Sequence, residues 1–470
     1  MLDAFLFLFV LGMLALGLRK PFIWVLAYLY IDIVAPQKIG WTLMPILPVS
    51  LIAFVAAFAG WVLADSKDGC RFTFRQALMV ALFAYCAVST LNADFPKEAL
   101  EKWAWVWKAM VFAIFLPLTL RTRLRIEAAA LVMVLSAAAI VISGGIKTVS
   151  GGGGYGVLYF FVNDNTGLYE SSTISCIAIA IIPLILWLAK FGTVFPPDWR
   201  VRLFTAALIF ACLLIPVGTE ARTGLLCIGV LAVLLLRSVK RRVLYAALGG
   251  FALLATIPFL PQTFTKRMST IETHESDESA STRVAVWSWT LDYVKDHPLG
   301  GGFNAYLANS FTYTKPVTTD LGGGITETEI RSVTDKQRAY HSAYFEMLGE
   351  QGWPGLILWL WLHGLGLWQM ERLYRRYLKR AKEDLRPEDA WKAPLASALQ
   401  QAQLIYLAGA LFVGIAFQPF VLMLIGLQCG LWSYLNRVDS PVKAPRKPKL
   451  QLRGKPRRGN AVTAKAPALR

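Results

Sequence analysis

The chain has 470 residues, is 56% hydrophobic and has a mean hydropathy of +0.49. Those values exclude a soluble globular domain and call for a polytopic helical membrane protein. The net charge is +18, and the tail from Arg437 to Arg470 holds eleven Lys or Arg against one Asp, with five Pro and no apolar periodicity. That tail reads as disordered and cytoplasmic, with membrane lipid rather than nucleic acid as its partner.

Apolar stretches fall near 4–18, 22–35, 43–64, 76–92, 103–120, 127–144, 168–190, 203–217, 223–236, 243–259, 353–370, 396–414 and 419–436. They predict an all-α fold of about 12–13 transmembrane helices, several shorter than the roughly 20 residues that a straight span needs. The first stretch carries Asp3, with Arg19-Lys20 behind it. That is the reverse of a signal peptide and reads as a retained helix with its N-terminus outside. Basic clusters occupy alternate gaps: Arg19-Lys20, Lys67 to Arg75, Arg121 to Arg125, Arg200 to Arg202, Arg237 to Arg242, Arg372 to Lys392, and the tail. By the positive-inside rule these gaps are cytoplasmic. The turn at Thr219 to Arg222 and the loop 261–341 then share the outer face. The expected organisation is N-terminal membrane helices over 1–144, central ones over 145–260, a periplasmic catalytic loop over 261–341, C-terminal helices over 342–436, and the tail over 437–470. No internal repeat is visible.

The loop has eight Lys or Arg and ten Asp or Glu, so bulk charge does not make it an anion surface. Val284, Trp287, Leu291 and Val294 predict an amphipathic helix over 281–296, ended by Pro298 and Gly300, Gly301 and Gly302. Those glycines lie at a helix C-terminal end, where the dipole disfavours anions, so a hinge or close backbone approach is expected there. His297 reads as a C-cap residue. After a polar stretch from Arg331 to Arg338, Tyr340 and His341 open a helix into the membrane, with a break expected at Gly352-Trp353-Pro354-Gly355.

Two readings stand for each polar candidate. Arg222, at the outer end of an apolar stretch, is an interfacial anchor paired with Glu220 or a fixed cation for a phosphate-bearing ligand. His341 is an interfacial histidine or a base, with Glu346 and Glu350 one or two turns below to orient its ring. Asn163, Asp164 and Asn165, behind the Gly151–Gly154 run, line a cavity or form a surface turn. The six cysteines contain no CxxC and avoid the loop, and the four histidines are scattered. No disulfide framework, metal site or other cofactor is expected.

The order Arg222, Arg283 with Trp287, Pro298-Leu299-Gly300-Gly301-Gly302, then His341 with Gly352 resembles the O-antigen ligase and polymerase superfamily. The stretches Asp277 to Gly302 and His341 to Glu350 look closest to its exosortase-A-associated O-glycosylation ligase branch. Gly145-Ile146-Lys147-Thr148 and Asn163-Asp164-Asn165 fit that branch too. The similarity covers roughly residues 20–435. Two departures are Ala221-Arg222, where the family commonly has Ser-Arg, and His341-Ser342, where it often has His-Asn.

The resemblance implies a multi-pass enzyme of the bacterial inner membrane. It would move a glycan from an undecaprenyl-diphosphate carrier to a hydroxyl of a glycan, lipid or protein acceptor at the periplasmic face, without a metal. Arg222 and Arg283 would bind the diphosphate, His341 would act as base, and Trp287 and Tyr344 would lie in the pocket. Ligation, repeat-unit polymerisation and protein O-glycosylation fit the same parts. A lipid-linked glycan transporter is the rival from another class, and a structural anchor for an exopolysaccharide complex is a third.

Overall fold

A computed structural model describes residues 2–150, 167–237, 241–244, 247, 250, 278–320, 326–383 and 387–439. Its helices, in chain order, are α1 (Leu2–Arg19), α2 (Phe22–Val34), α3 (Val49–Ala64), α4 (Phe74–Leu91), α5 (Pro96–Thr119), α6 (Arg123–Val149), α7 (Ser171–Ala180), α8 (Ile182–Phe191), α9 (Trp199–Gly218), α10 (Arg222–Leu236), α11 (Glu278–Asp296), α12 (Ala343–Glu383), α13 (Lys392–Gly409) and α14 (Pro419–Val438). Among the described residues, six helical segments are long and apolar enough to cross a membrane, and α2, α3 and α10 are shorter apolar helices. The apolar stretch 243–259 lies largely outside the described residues, as do Asn163, Asp164 and Asn165.

Local chemistry sets the helix starts. Thr73 and Gln76 close a capping box on α4, and the Thr122 side chain accepts from the Arg125 N–H at the start of α6. Pro96 and Pro419 open α5 and α14 at the first turn, where a missing N–H costs nothing. Helix α14 packs on α5, α9 on α6, α12 on α13, and α2 on α3. Phe5, Leu8 and Leu18 on α1 and Leu203 and Phe210 on α9 stay exposed, as lipid-facing side chains do.

The basic gaps meet at one end of the bundle. Arg125 pairs with Asp65 at 2.5 Å, Arg437 donates to the Gly69 carbonyl at 3.0 Å, and Arg123 donates to the Phe191 carbonyl at 2.8 Å. Arg237 pairs with Glu371, and Arg380 with Asp439, each at 2.7 Å. These contacts gather the gaps near 67–75, 121–125, 190–200, 237–242 and 372–392, as the alternation of charge requires.

The loop carries structure that its sequence partly announces. Helix α11 forms as expected, but its buried stripe is Val286, Thr290 and Val294, while Val284 and Leu291 are exposed. Trp287 fixes this rotation: its indole N–H donates to the Tyr340 carbonyl at 2.9 Å, and its ring stacks on Phe345 with centroids 4.9 Å apart. A two-stranded antiparallel hairpin follows, β1 (Ser310–Asp320) with β2 (Thr326–Lys336), in a register that pairs Ser310 with Lys336 and Asp320 with Thr326. The polar stretch Arg331–Arg338 is strand up to Lys336. Phe, Tyr, Thr and Val in β1 and Thr, Ile and Val in β2 favour strands.

The break in α12 falls at Gly352, whose φ of 62° lies in the left-handed region. The glycine run packs against it backbone to backbone. Gly301 N–H donates to the Gly349 carbonyl at 3.0 Å, Gly302 N–H to the Glu350 carbonyl at 2.9 Å, and Trp353 N–H to the Pro298 carbonyl at 3.0 Å. A Cβ at Gly300 or Gly352 would collide with the other segment's main chain, so close approach is what these glycines permit.

Candidate functional site: a two-armed polar cavity

A cavity of about 770 Å³ opens at the end of the bundle opposite the basic gaps. One wall is the end of α2 and the turn after it, with Asp32, Gln37 and Lys38. A second is the outer part of α5, with Glu101, Lys102 and Trp105. A third is the start of α7, preceded by Tyr169 and Glu170. Arg283 of α11, Asn304, Tyr306 and His341 cover it, and the segment Val413 to Pro419 closes the remaining side. Its size suits a small-molecule or headgroup site.

Arg283 and His341 face this cavity together. His341 has φ 46°, a left-handed conformation uncommon for residues other than glycine. Its neighbours hold it there. The Trp287 indole grips the Tyr340 carbonyl, and the Ala343 N–H donates to the Ala410 carbonyl at 2.8 Å. Cavity walls displace water from the imidazole and the Arg283 guanidinium lies near it, so its pKa falls below the ordinary 6.5, with a smaller push from Arg338. Glu170 opposes the shift. The ring is therefore neutral at pH 7. A neutral imidazole is able to accept a proton.

Glu170 is itself fixed. Its carboxylate caps α7, accepting from the Ser172 N–H at 3.0 Å and from the Thr173 hydroxyl at 2.7 Å. Glu346 and Glu350, expected to orient His341, are engaged elsewhere. Lys102 reaches Glu346 Oε1 at 2.7 Å and both oxygens of Glu350 at 2.8 Å, and its ammonium lies over the rings of Phe303 and Phe417. Glu350 also accepts from the Asn304 N–H, and Glu346 from the Ala416 N–H, each at 3.0 Å. One buried lysine thus ties α5 to α12, to the segment after the glycines and to the 413–419 wall. The carboxylate whose charge reaches His341 is Glu170, because Lys102 holds the other two.

The remaining sequence candidates stand farther back. Trp287 supports the Tyr340 backbone and does not line the cavity. Tyr344 donates to the Leu407 carbonyl at 3.1 Å and packs edge-on against Trp359. Arg222 begins α10 and does not line the cavity either. Its connection is indirect: the Thr219 hydroxyl bonds Ser175 at 2.8 Å, on the same helix as the cavity-lining Ser172 and Thr173. Glu220, buried beside it, has φ 50°. His297 follows α11 and stacks on Tyr293, the place of a cap residue. Among the described residues, no group of three or more His, Cys, Asp or Glu converges as metal ligands do. Sequence reasoning missed Asp32 and Lys102. Asp32 is an ionisable residue inside an apolar helix, which was the available signal, whereas Lys102 stands among Lys97, Glu98 and Glu101 and gave none.

Apolar helices arranged around a polar cavity at one end define a multi-pass membrane protein. Residues 203–360 match the family described as O-Antigen ligase, and residues 1–193 match a family of unknown function (DUF5935). No curated protein matches the chain. The match of residues 203–360 supports the O-antigen ligase superfamily, and with it glycan transfer in O-antigen or polysaccharide assembly. The cavity draws on both matched segments: Arg283 and His341 come from the second, and Asp32, Gln37, Glu101, Trp105 and Glu170 from the first.

Proposed function

We propose that the protein transfers a glycan from an undecaprenyl-diphosphate carrier to an acceptor hydroxyl at the periplasmic face of the bacterial inner membrane. The observation that carries this reading is the shared cavity of Arg283 and His341, at the bundle end remote from the basic gaps. A guanidinium presents a planar fork that matches a phosphate. It compensates the charge that grows on the diphosphate as the sugar leaves. His341 takes the proton from the acceptor hydroxyl, and that oxygen bonds to the anomeric carbon. The bond from that carbon to the diphosphate oxygen breaks, and the carrier departs as undecaprenyl diphosphate. Attack opposite the leaving group inverts the anomeric centre. Arg222, which opens α10 three residues after Thr219, is assigned the second diphosphate contact.

The test is glycan analysis of a strain lacking the protein, complemented with the parent or with His341→Gln. Loss of transferred glycan in the deletion, restored by the parent and not by the variant, supports the reading. Full-length unattached chains mark a ligase, whereas single repeat units on the carrier mark a polymerase. Normal glycan in the deletion strain overturns the proposal.

A further inference from the structure

The cavity extends beyond what a diphosphate and a base require. Away from Arg283 and His341 it is walled by Asp32, Gln37, Lys38, Glu101 and Trp105. Asp32 lies in the last turn of α2, and Gln37 in the turn after it. There Ala35 adopts φ 49° and the Tyr169 hydroxyl donates to the Val34 carbonyl at 2.6 Å, which carries Gln37 into the cavity. Asp32 Oδ2, beside the Tyr28 hydroxyl, and Gln37 Oε1 are buried and make no well-formed hydrogen bond among the described residues. Buried oxygens of this kind call for a donor. Trp105, 41% exposed, lies on the facing helix.

The chemistry of this arm discriminates among occupants. Among the described residues, five carboxylates line the cavity: Asp32, Glu101, Glu170, Glu346 and Glu350. Lys102 matches the last two, and Glu170 caps a helix. Among the described residues, Asp32 and Glu101 carry no ion pair, and the nearest cation felt by Asp32 is Lys108. A second phosphate in this arm would meet two carboxylates against one lysine, Lys38. A polyprenyl chain would leave the Asp32 and Gln37 oxygens dry and unsatisfied. A sugar ring supplies hydroxyl donors to those acceptors and an apolar C–H face to the indole.

The geometry points to this arm as a pyranose-binding subsite, built by the segment that matches the family of unknown function and set beside the reactive residues of the ligase segment. The inference rests on the proposed transfer reaction. The ring comes either from the donor glycan or from a glycan acceptor, and both have the same chemistry.

The experiment uses the full-length protein in nanodiscs, as parent, Asp32→Asn, Trp105→Ala and Arg283→Ala. The probes are bare undecaprenyl diphosphate and the lipid-linked glycan extracted from the membranes of the producing cells. Asp32→Asn and Trp105→Ala are expected to bind the bare carrier as the parent does, which also reports correct folding. If the subsite holds the donor sugar, these variants bind the lipid-linked glycan about ten- to a hundredfold more weakly than the parent. If it holds the acceptor, donor binding is unchanged and the acceptor KM rises by a similar factor. Parent-like donor binding and acceptor KM in both variants overturn the subsite, as does loss of bare-carrier binding in both. Unchanged bare-carrier binding in Arg283→Ala would instead count against the proposed diphosphate role.

Discussion

Arg283 and His341, from different elements, line one cavity, and the guanidinium lowers the pKa of the imidazole. The coupling has a direct kinetic consequence. His341 must be neutral to act as base, so transfer rises with pH through a pKa below 6.5 and levels off above it. In Arg283→Gln the lowering charge is gone, and the acid limb is expected to move to higher pH. In Glu170→Gln an opposing charge is gone, and the limb is expected to move lower. Rate profiles between pH 5 and pH 8 check both signs. Identical limbs in all three proteins would mean that a different group titrates.

The diphosphate contact is expected to be unequal between the two arginines. Charge-assisted hydrogen bonds are worth about 1.5–3 kcal/mol, so Arg283→Ala should weaken carrier binding by roughly one to two orders of magnitude. Arg283→Lys should recover only part, because an ammonium lacks the planar fork. Arg222 does not line the cavity, so Arg222→Ala should cost less. Binding of undecaprenyl diphosphate by each purified variant measures the order.

Lys102 is expected to dominate the stability of the site. Removing one partner of a buried ion pair costs about 3–5 kcal/mol, since the other charge stays buried. Lys102→Met should therefore lower the melting temperature sharply. Adding Glu346→Gln and Glu350→Gln to it should recover much of the loss. Thermal unfolding of the single, double and triple variants gives the coupling, and additive losses would refute the clamp.

The orientation is checked by labelling. Ser310 is exposed at the cavity end of the molecule. Five of the six native cysteines are buried, and Cys70, partly exposed, lies in a basic gap. Ser310→Cys should react with an impermeant maleimide in intact spheroplasts, whereas Cys70 should react only after lysis. The reverse pattern would invert the topology.

How far the sequence carried this account depends on the range of each interaction. Charge alternation gave the two ends of the bundle because it is written in local composition. The end of α11 and the break at Gly352 were legible in Pro298, the glycines and Pro354. His341 was visible as a polar residue opening a helix at the membrane boundary, whereas Arg283 stood out only through the order of motifs that resembles the family. What stayed hidden was pairing across the chain: Lys102 and Glu346 are separated by 244 positions, and nothing in either neighbourhood names the other. Rotation of α11 was misread because Trp287 is held by Tyr340 and Phe345, so tertiary contact overrode the local apolar spacing. Asp32 was passed over as one acid in an apolar stretch, although its depth was itself a signal.

The central claim is that binding and proton transfer are divided between Arg283 and His341. Single-turnover transfer by His341→Gln, saturated with the extracted lipid-linked glycan and supplied with acceptor, tests it most directly. The account expects parent-like donor affinity and a transfer rate lower by about a hundred- to ten-thousandfold, the usual loss on removing a general base. Transfer at the parent rate by the correctly inserted variant would contradict it and make His341 a spacer at the cavity mouth.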